Sequence, residues 1–283
     1  MMGRGAWLIL TIFPLFFGCL PVVSPSLELE DTVIETRTVW QGEVRIRGVV
    51  TVKKEGELII LPGTRVVFEP LDLDGDGIGD SELLVEGALI AEGTATEPIL
   101  LTSGADQPAP ADWKYLYLDF ARQARLSHLI SEYAYSGVQI HFCKARVTDS
   151  EFRFNIDGVR FSTVNLELRN NLIHHNRHGL RFEERRSTAR IHGNSIRDNE
   201  IGIFVVTRSD GGALIEQNNI TASRSYQVKF GLEQPGDVDF PRNWWGMTDP
   251  ALLQESFFDQ RYDSALGRAS ASTPAQAPFP GLP

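Results

Sequence analysis

The chain has 283 residues, 42% of them hydrophobic and 23% charged, which is long enough for a sizeable core and excludes a disordered or collagen-like polymer. With only 3 Met and long tracts lacking a 3.6-residue apolar period, a helical bundle is excluded as well. The net charge of −10 is unevenly divided: residues 19 to 112 hold 6 Lys and Arg against 18 Asp and Glu, and residues 113 to 283 hold 20 against 19. No part of the chain is a net basic module of the kind that would mark a nucleic-acid partner.

Residues 1 to 18 read as a secretion signal. Arg4 is their only charge, and the apolar stretch from Ala6 to Phe17 is too short to span a bilayer comfortably. The segment ends in Phe16-Phe17-Gly18-Cys19, which resembles the lipobox of bacterial lipoproteins. That resemblance implies acylation of Cys19, a lipid anchor, and, with Leu20 next, sorting to the outer membrane. The alternative is an ordinary cleaved signal in which Cys19 is incidental. The other cysteine, Cys143, has no partner if Cys19 carries lipid and reads as a small buried hydrophobe. Residues 19 to 37 are expected to be a tether and N-terminal cap.

From residue 38 to 250 the expectation is a single all-β solenoid, interrupted by an acidic insert at 70 to 82. In that insert Asp72, Asp74 and Asp76, followed by Gly77, match positions 1, 3, 5 and 6 of a calcium loop, with the Ile78 carbonyl at 7 and Asp80 at 9. Position 12 is Leu83, with Glu82 one residue early, so closure by a bidentate carboxylate is in doubt. The insert is expected to bind calcium; the alternative is a solvated acidic turn.

The solenoid rests on self-similarity. Segments starting at Leu126, Val147, Leu168, Ile191 and Ile215 align without gaps, their starts 21, 21, 23 and 24 residues apart. Asn171, Asn194 and Asn218 recur at one position, and Asn155, Asn176 and Asn199 at another. Gly137, Gly158, Gly179 and Gly202 follow three residues later, ahead of alternating strands. Asn is expected in the left-handed conformation at corners and Gly at positive φ. Rungs stacked at about 4.8 Å would make each Asn column an internal hydrogen-bonded ladder. A leucine-rich repeat would need a denser leucine frame and a propeller about double the period, which leaves a parallel β-helix with rungs of 21 to 24 residues.

The Asn-x-x-Gly corners, "VEGALIAEGT…EPILLTS" at Val85 to Ser103, and "NWWG" at Asn243 to Gly246 resemble the right-handed parallel β-helix proteins of the pectin-lyase-like superfamily, more narrowly its bacterial envelope lipoproteins. The resemblance is specific for architecture and poor for function. Its polygalacturonase members imply a pattern of paired acids that is incomplete here: Asn155-Ile156-Asp157 and Arg177-His178-Gly179 are partial echoes, and there is no Asp-Asp in the chain. No catalytic residue is assigned. His174, His175 and His178 invite a transition-metal reading, but their register need not converge and a scattered polar surface is the plainer alternative.

The outward arginines complete the picture. Rung alignment stacks Arg153, His174 and Arg197 in one column, Arg160 and Arg181 in a second, and Arg125, Arg146 and Arg190 in a third that Glu167 interrupts. Residues 113 to 283 hold 17 Arg and 3 Lys, and guanidinium forks suit repeated carboxylates. Arg153, Arg160, Arg181 and Arg197 are therefore candidates for binding an acidic polysaccharide; the alternatives are a self-paired solvated face and a carbohydrate-active enzyme of the same fold. Trp244 and Trp245 are expected to close the last rung, and residues 251 to 283 to form a C-terminal cap and a flexible tail.

Overall fold

The computed structural model describes residues 26 to 183 and 186 to 283, apart from the side chain of Leu232. The signal segment and Cys19 lie outside the described residues. Strands stack in three parallel sheets of nine, ten and eight members, in which each strand pairs with its counterparts one turn of chain before and after. The nine-stranded sheet runs from Leu27–Glu30 to Asn219–Thr221, the ten-stranded from Val33–Ile34 to Phe257–Phe258, and the eight-stranded from Arg37–Trp40 to Ala213–Glu216. Rungs thus begin at Leu27, inside the segment expected as a tether and cap, because Leu27–Glu30 already pairs with Glu43–Arg47. One six-residue helix, Pro250–Glu255, is capped by Asp249, whose carboxylate accepts from the Ala251 and Leu252 amides.

Alternation places every second side chain inside. Within the ten-stranded sheet Val159, Phe161, Leu180 and Phe182 are buried while Arg160 and Arg181 between them face out. In-register pairing lets like stack on like: the Phe161 and Phe182 rings lie 4.9 Å apart at 9°. Removing such a ring from water stabilises the fold by about 2–3 kcal/mol.

Both asparagine ladders form. Asn194 Oδ1 accepts from the Asn171 amide and from Asn171 Nδ2, each at 2.9 Å, while Asn194 Nδ2 donates to Asn218 Oδ1, Leu168 O and His192 O. The column continues one rung further than the repeat alignment reaches, since the Asn218 amide and Nδ2 both donate to Asn243 Oδ1. Asn243 is the first residue of "NWWG", so that motif closes the stack by extending a ladder as well as by burying Trp245. Asn155, Asn176 and Asn199 repeat the pattern at the second corner.

The backbone basis of the corners differs from the expectation. The left-handed residue is the one before each ladder asparagine, as at Asn170, Gly193 and Gln217 ahead of Asn171, Asn194 and Asn218, with φ of 57°, 66° and 55°. The ladder asparagine points inward, and its preceding neighbour turns the chain. Likewise Gly158 and Gly179 do not take positive φ; a Cβ on Gly179 would sit 2.6 Å from the Gly202 carbonyl oxygen, so glycine is there for close approach.

The C-terminal segment is not a free tail. Ala269–Ser270 pairs with Val238–Asp239, the Ala275 amide donates to Asn243 O, and Asn219 and Phe279 exchange hydrogen bonds through the Asn219 side chain. Leu282 reaches Gly193, and Pro283 lines one concavity together with His128, Asp149 and Asn170. The segment runs back as a strap along one corner because its proline-rich backbone, unable to add a full strand, satisfies its amides on corner groups.

Candidate functional site

Two long corner loops interrupt the rung pattern, residues 69 to 81 and 104 to 112, both between the nine- and ten-stranded sheets. They brace each other through the Gly79 amide, which donates to Ala111 O at 2.8 Å. The tip of the acidic insert, Gly77 and Ile78, then forms one wall of a groove of about 430 Å³ whose other side includes Tyr135, Arg177, His178 and Arg181. The insert thus stands beside arginines that come several rungs later in the chain, because the loop reaches across rungs from its corner.

The groove floor is built on adjacent register positions of the ten-stranded sheet. Asp157 pairs in register with His178, 21 residues later, and Arg160 with Arg181. Asp157 is fully buried and accepts twice, from His178 Nδ1 at 2.7 Å and from Arg181 Nη1 at 3.0 Å. His178 stacks on Phe204 at 4.8 Å and 20°, and the Arg181 guanidinium stands 5.9 Å from the same ring centroid. Burial works against the charge of Arg181, but Asp157 and Tyr135 outweigh it and hold the guanidinium above its ordinary range. The outward column reads Tyr117, Gln139, Arg160, Arg181, Phe204, Lys229. Arg160 has one acid partner among the described residues, Glu183 at 3.8 Å. Farther along the same face, burial pushes the Tyr115 hydroxyl up to about 12, aided by Glu82.

The four candidate arginines separate into two faces. Arg160 and Arg181 are register neighbours on the outer face of the ten-stranded sheet, where Arg181 lines the groove. Arg153 and Arg197 lie on the nine-stranded sheet in one column with His174, and both are neutralised: Arg153 by Glu132 at 2.7 Å and Glu151 at 2.8 Å, Arg197 by Asp198 at 2.5 Å. Of the residues proposed for calcium, Asp72, Asp74 and Asp80 bring carboxylate oxygens within 4.8 Å of one another. Asp76 instead accepts from the Ile78 amide, and Glu82 begins a strand where burial lifts its carboxyl above the usual range. His174 and His175 meet at 2.6 Å between their Nδ1 atoms, whereas His178 is committed to Asp157. Cys143 is buried, and burial pushes its thiol up to about 12.

The Asp157–His178 contact was readable in principle, because 21 residues is the local rung length. Tyr135, Phe204 and Lys229 carried no sequence signal as a group; only the three-dimensional register collects them.

Residues 116–234 match the family model described as a right handed beta helix region. The protein is a right-handed parallel β-helix. No curated protein and no solved structure matches the chain. The matched span of this β-helix coincides with the rungs that carry the asparagine ladders and the groove floor, while the acidic insert lies before it.

Proposed function

We propose that the β-helix binds an acidic polysaccharide along its ten-stranded face, without cleaving it, from an anchored position in the bacterial envelope. The observation that carries this reading is the outward column in which Arg160 and Arg181 occupy neighbouring rungs and Phe204 and Lys229 continue the same line. Planar forks about 4.8 Å apart suit carboxylates recurring every one or two rungs, and the half-buried Phe204 ring beside them adds an apolar edge to the same line. Each contact is exposed to screening, so retention falls with added salt. Replacing Arg160 and Arg181 together by Ala is expected to lower retention of polygalacturonate or alginate in affinity electrophoresis by roughly tenfold or more, with the β-sheet circular dichroism retained and some stability lost because the buried Asp157 keeps only His178 as a side-chain partner. Equal retention would refute the assignment.

A carbohydrate-active enzyme is the second reading, and the buried Asp157 orienting His178 favours it. It requires that the wild type release unsaturated or reducing ends from the same polymers, and that His178→Ala abolish the release.

The envelope position rests on the apolar segment ending at Cys19, and mass spectrometry of the mature N-terminus tests it: an unacylated terminus beyond Cys19 would remove the anchor. The insert is proposed to take calcium through Asp72, Asp74 and Asp80, whose clustered carboxylates repel one another without a cation. Titration calorimetry on chelator-treated protein is expected to show a modest calcium affinity that Asp74→Ala removes; identical traces would mean a solvated turn.

A further inference from the structure

The outer face of the eight-stranded sheet has an organisation the polysaccharide groove does not use. One outward column begins with Val39, Ile59 and Ile90 and continues in register through Arg125, Arg146, Glu167 and Arg190. Val39 is 51% exposed. Six steps of about 4.8 Å make this column about 29 Å long, apolar toward the N-terminal end and cationic toward the other. Glu92 and Glu167 neutralise Arg125 and Arg146 at 3.2 Å. No carboxylate among the described residues pairs with Arg122, Lys144 or Arg190, which line the same broad concavity of about 750 Å³.

The corner that borders this face carries a second unusual feature. Phe120 and Phe142 protrude there, 66% and 48% exposed, with rings stacked at 4.7 Å and 14°. Both hold left-handed backbone, φ 52° and 50°, a conformation that bulky residues rarely adopt. The stacked rings sit two residues before Arg122 and Lys144, so protruding aromatics flank unpaired cations on consecutive rungs.

We propose that this face docks the protein peripherally on an anionic lipid surface, with Phe120 and Phe142 entering the headgroup boundary and Arg122, Lys144 and Arg190 meeting the phosphates. Charge complementarity selects this occupant: unpaired cations beside apolar groups that lack polar tips match an interface that is anionic outside and apolar beneath. Among the described residues no helix is long and apolar enough to cross a membrane, so the contact is a surface one. The proposal needs neither acylation of Cys19 nor the glycan groove.

The test uses the full chain carrying Cys19→Ser, so that acylation contributes nothing, and compares sedimentation with phosphatidylcholine vesicles and with equimolar phosphatidylcholine and phosphatidylglycerol. The ratio of the two affinities, compared between the parent chain and its variants, is the readout, since all carry the same leader and the preference of Arg4 for the anionic vesicles cancels between them. The expected ratio is roughly tenfold or more at low salt, collapsing toward one in Arg122→Glu/Lys144→Glu and falling in Phe120→Ser/Phe142→Ser. A Phe120→Trp chain, which keeps an aromatic at the corner, should gain emission that brominated lipid quenches in the anionic vesicles. Arg160→Ala/Arg181→Ala should leave the ratio intact, which separates this proposal from the polysaccharide reading. A wild-type ratio near one, or a ratio unchanged in both double variants, overturns it. So does loss of polygalacturonate retention, with vesicle selectivity kept, in Arg122→Glu/Lys144→Glu.

Discussion

A single register position contrasts the N-terminal rungs with the C-terminal ones. Following the pairing through the nine-stranded sheet, one inward corner site is occupied in turn by Thr64, Ile99, Leu129, Ser150, Asn171, Asn194, Asn218 and Asn243. The early rungs fill it with apolar side chains or hydroxyls; Thr64 Oγ1 donates to Trp40 O, and Ser150 Oγ donates to Thr148 O and accepts from the Leu129 amide. The late rungs fill it with amides that bond to one another and to the corner backbone. The two chemistries support the same backbone path. What differs is how much each corner depends on its neighbours: an apolar corner is stabilised by local packing, and an amide corner by an unbroken chain of partners.

The largest effect expected from that difference is at the middle of the ladder. Asn194→Ala removes the acceptor of the Asn171 amide and side chain together with three donated bonds, and is expected to destabilise by about 3 kcal/mol or more. Thr64→Ala, at the equivalent early corner, should cost only about 1 kcal/mol. Urea denaturation of both variants checks the pair, and similar losses would mean that the ladder adds nothing beyond its individual bonds.

A smaller effect is expected where the strap meets the late rungs. Burial alone would raise the Asp239 carboxyl, but the Ser272 hydroxyl and amide and the Ser270 hydroxyl bond to it and hold it below the usual carboxylate range. A depressed folded-state value means that this contribution is present above the unfolded value near 3.8 and is lost as pH falls through the lower folded one. Hydrogen exchange of residues 268 to 283 should therefore accelerate below the carboxylate range while the early rungs stay protected. Asp239→Asn should flatten the pH dependence. Uniform acceleration in both regions would show that the strap opens only with the whole stack.

The same contrast explains what could be read from sequence. Asn171, Asn194 and Asn218 are visible because an amide is costly inside unless stacked, so the residue type itself reports the register. Ile99 and Leu129 occupy the same column but look like any core residue, so the early rungs carry no such marker, and Leu27–Glu30 reads as part of a tether and cap. Arg160 and Arg181 were legible as a column, whereas their separation from Arg153 and Arg197 depends on which sheet each strand joins. The acidic insert was legible as a loop, but its reach to His178 and Arg181 depends on how a corner loop leans across rungs, and no periodicity encodes that. The strap was read as loose because Ala, Ser and Pro carry no pattern; its order comes from Asn219 and Asn243, which already belong to the stack.

The strap also bears on the order in which the molecule is made. A rung can settle on the one before it as the chain emerges, since each contacts mainly its immediate neighbours. The residues that meet Asn243, Asn219 and Gly193 lie between Ala275 and Leu282, well after the rungs they cover. They emerge only after those corners have been built. The corner beneath the strap therefore stays open while its rungs are being made, so a chain truncated before Ala275 would hold a full set of rungs with that seam unsealed.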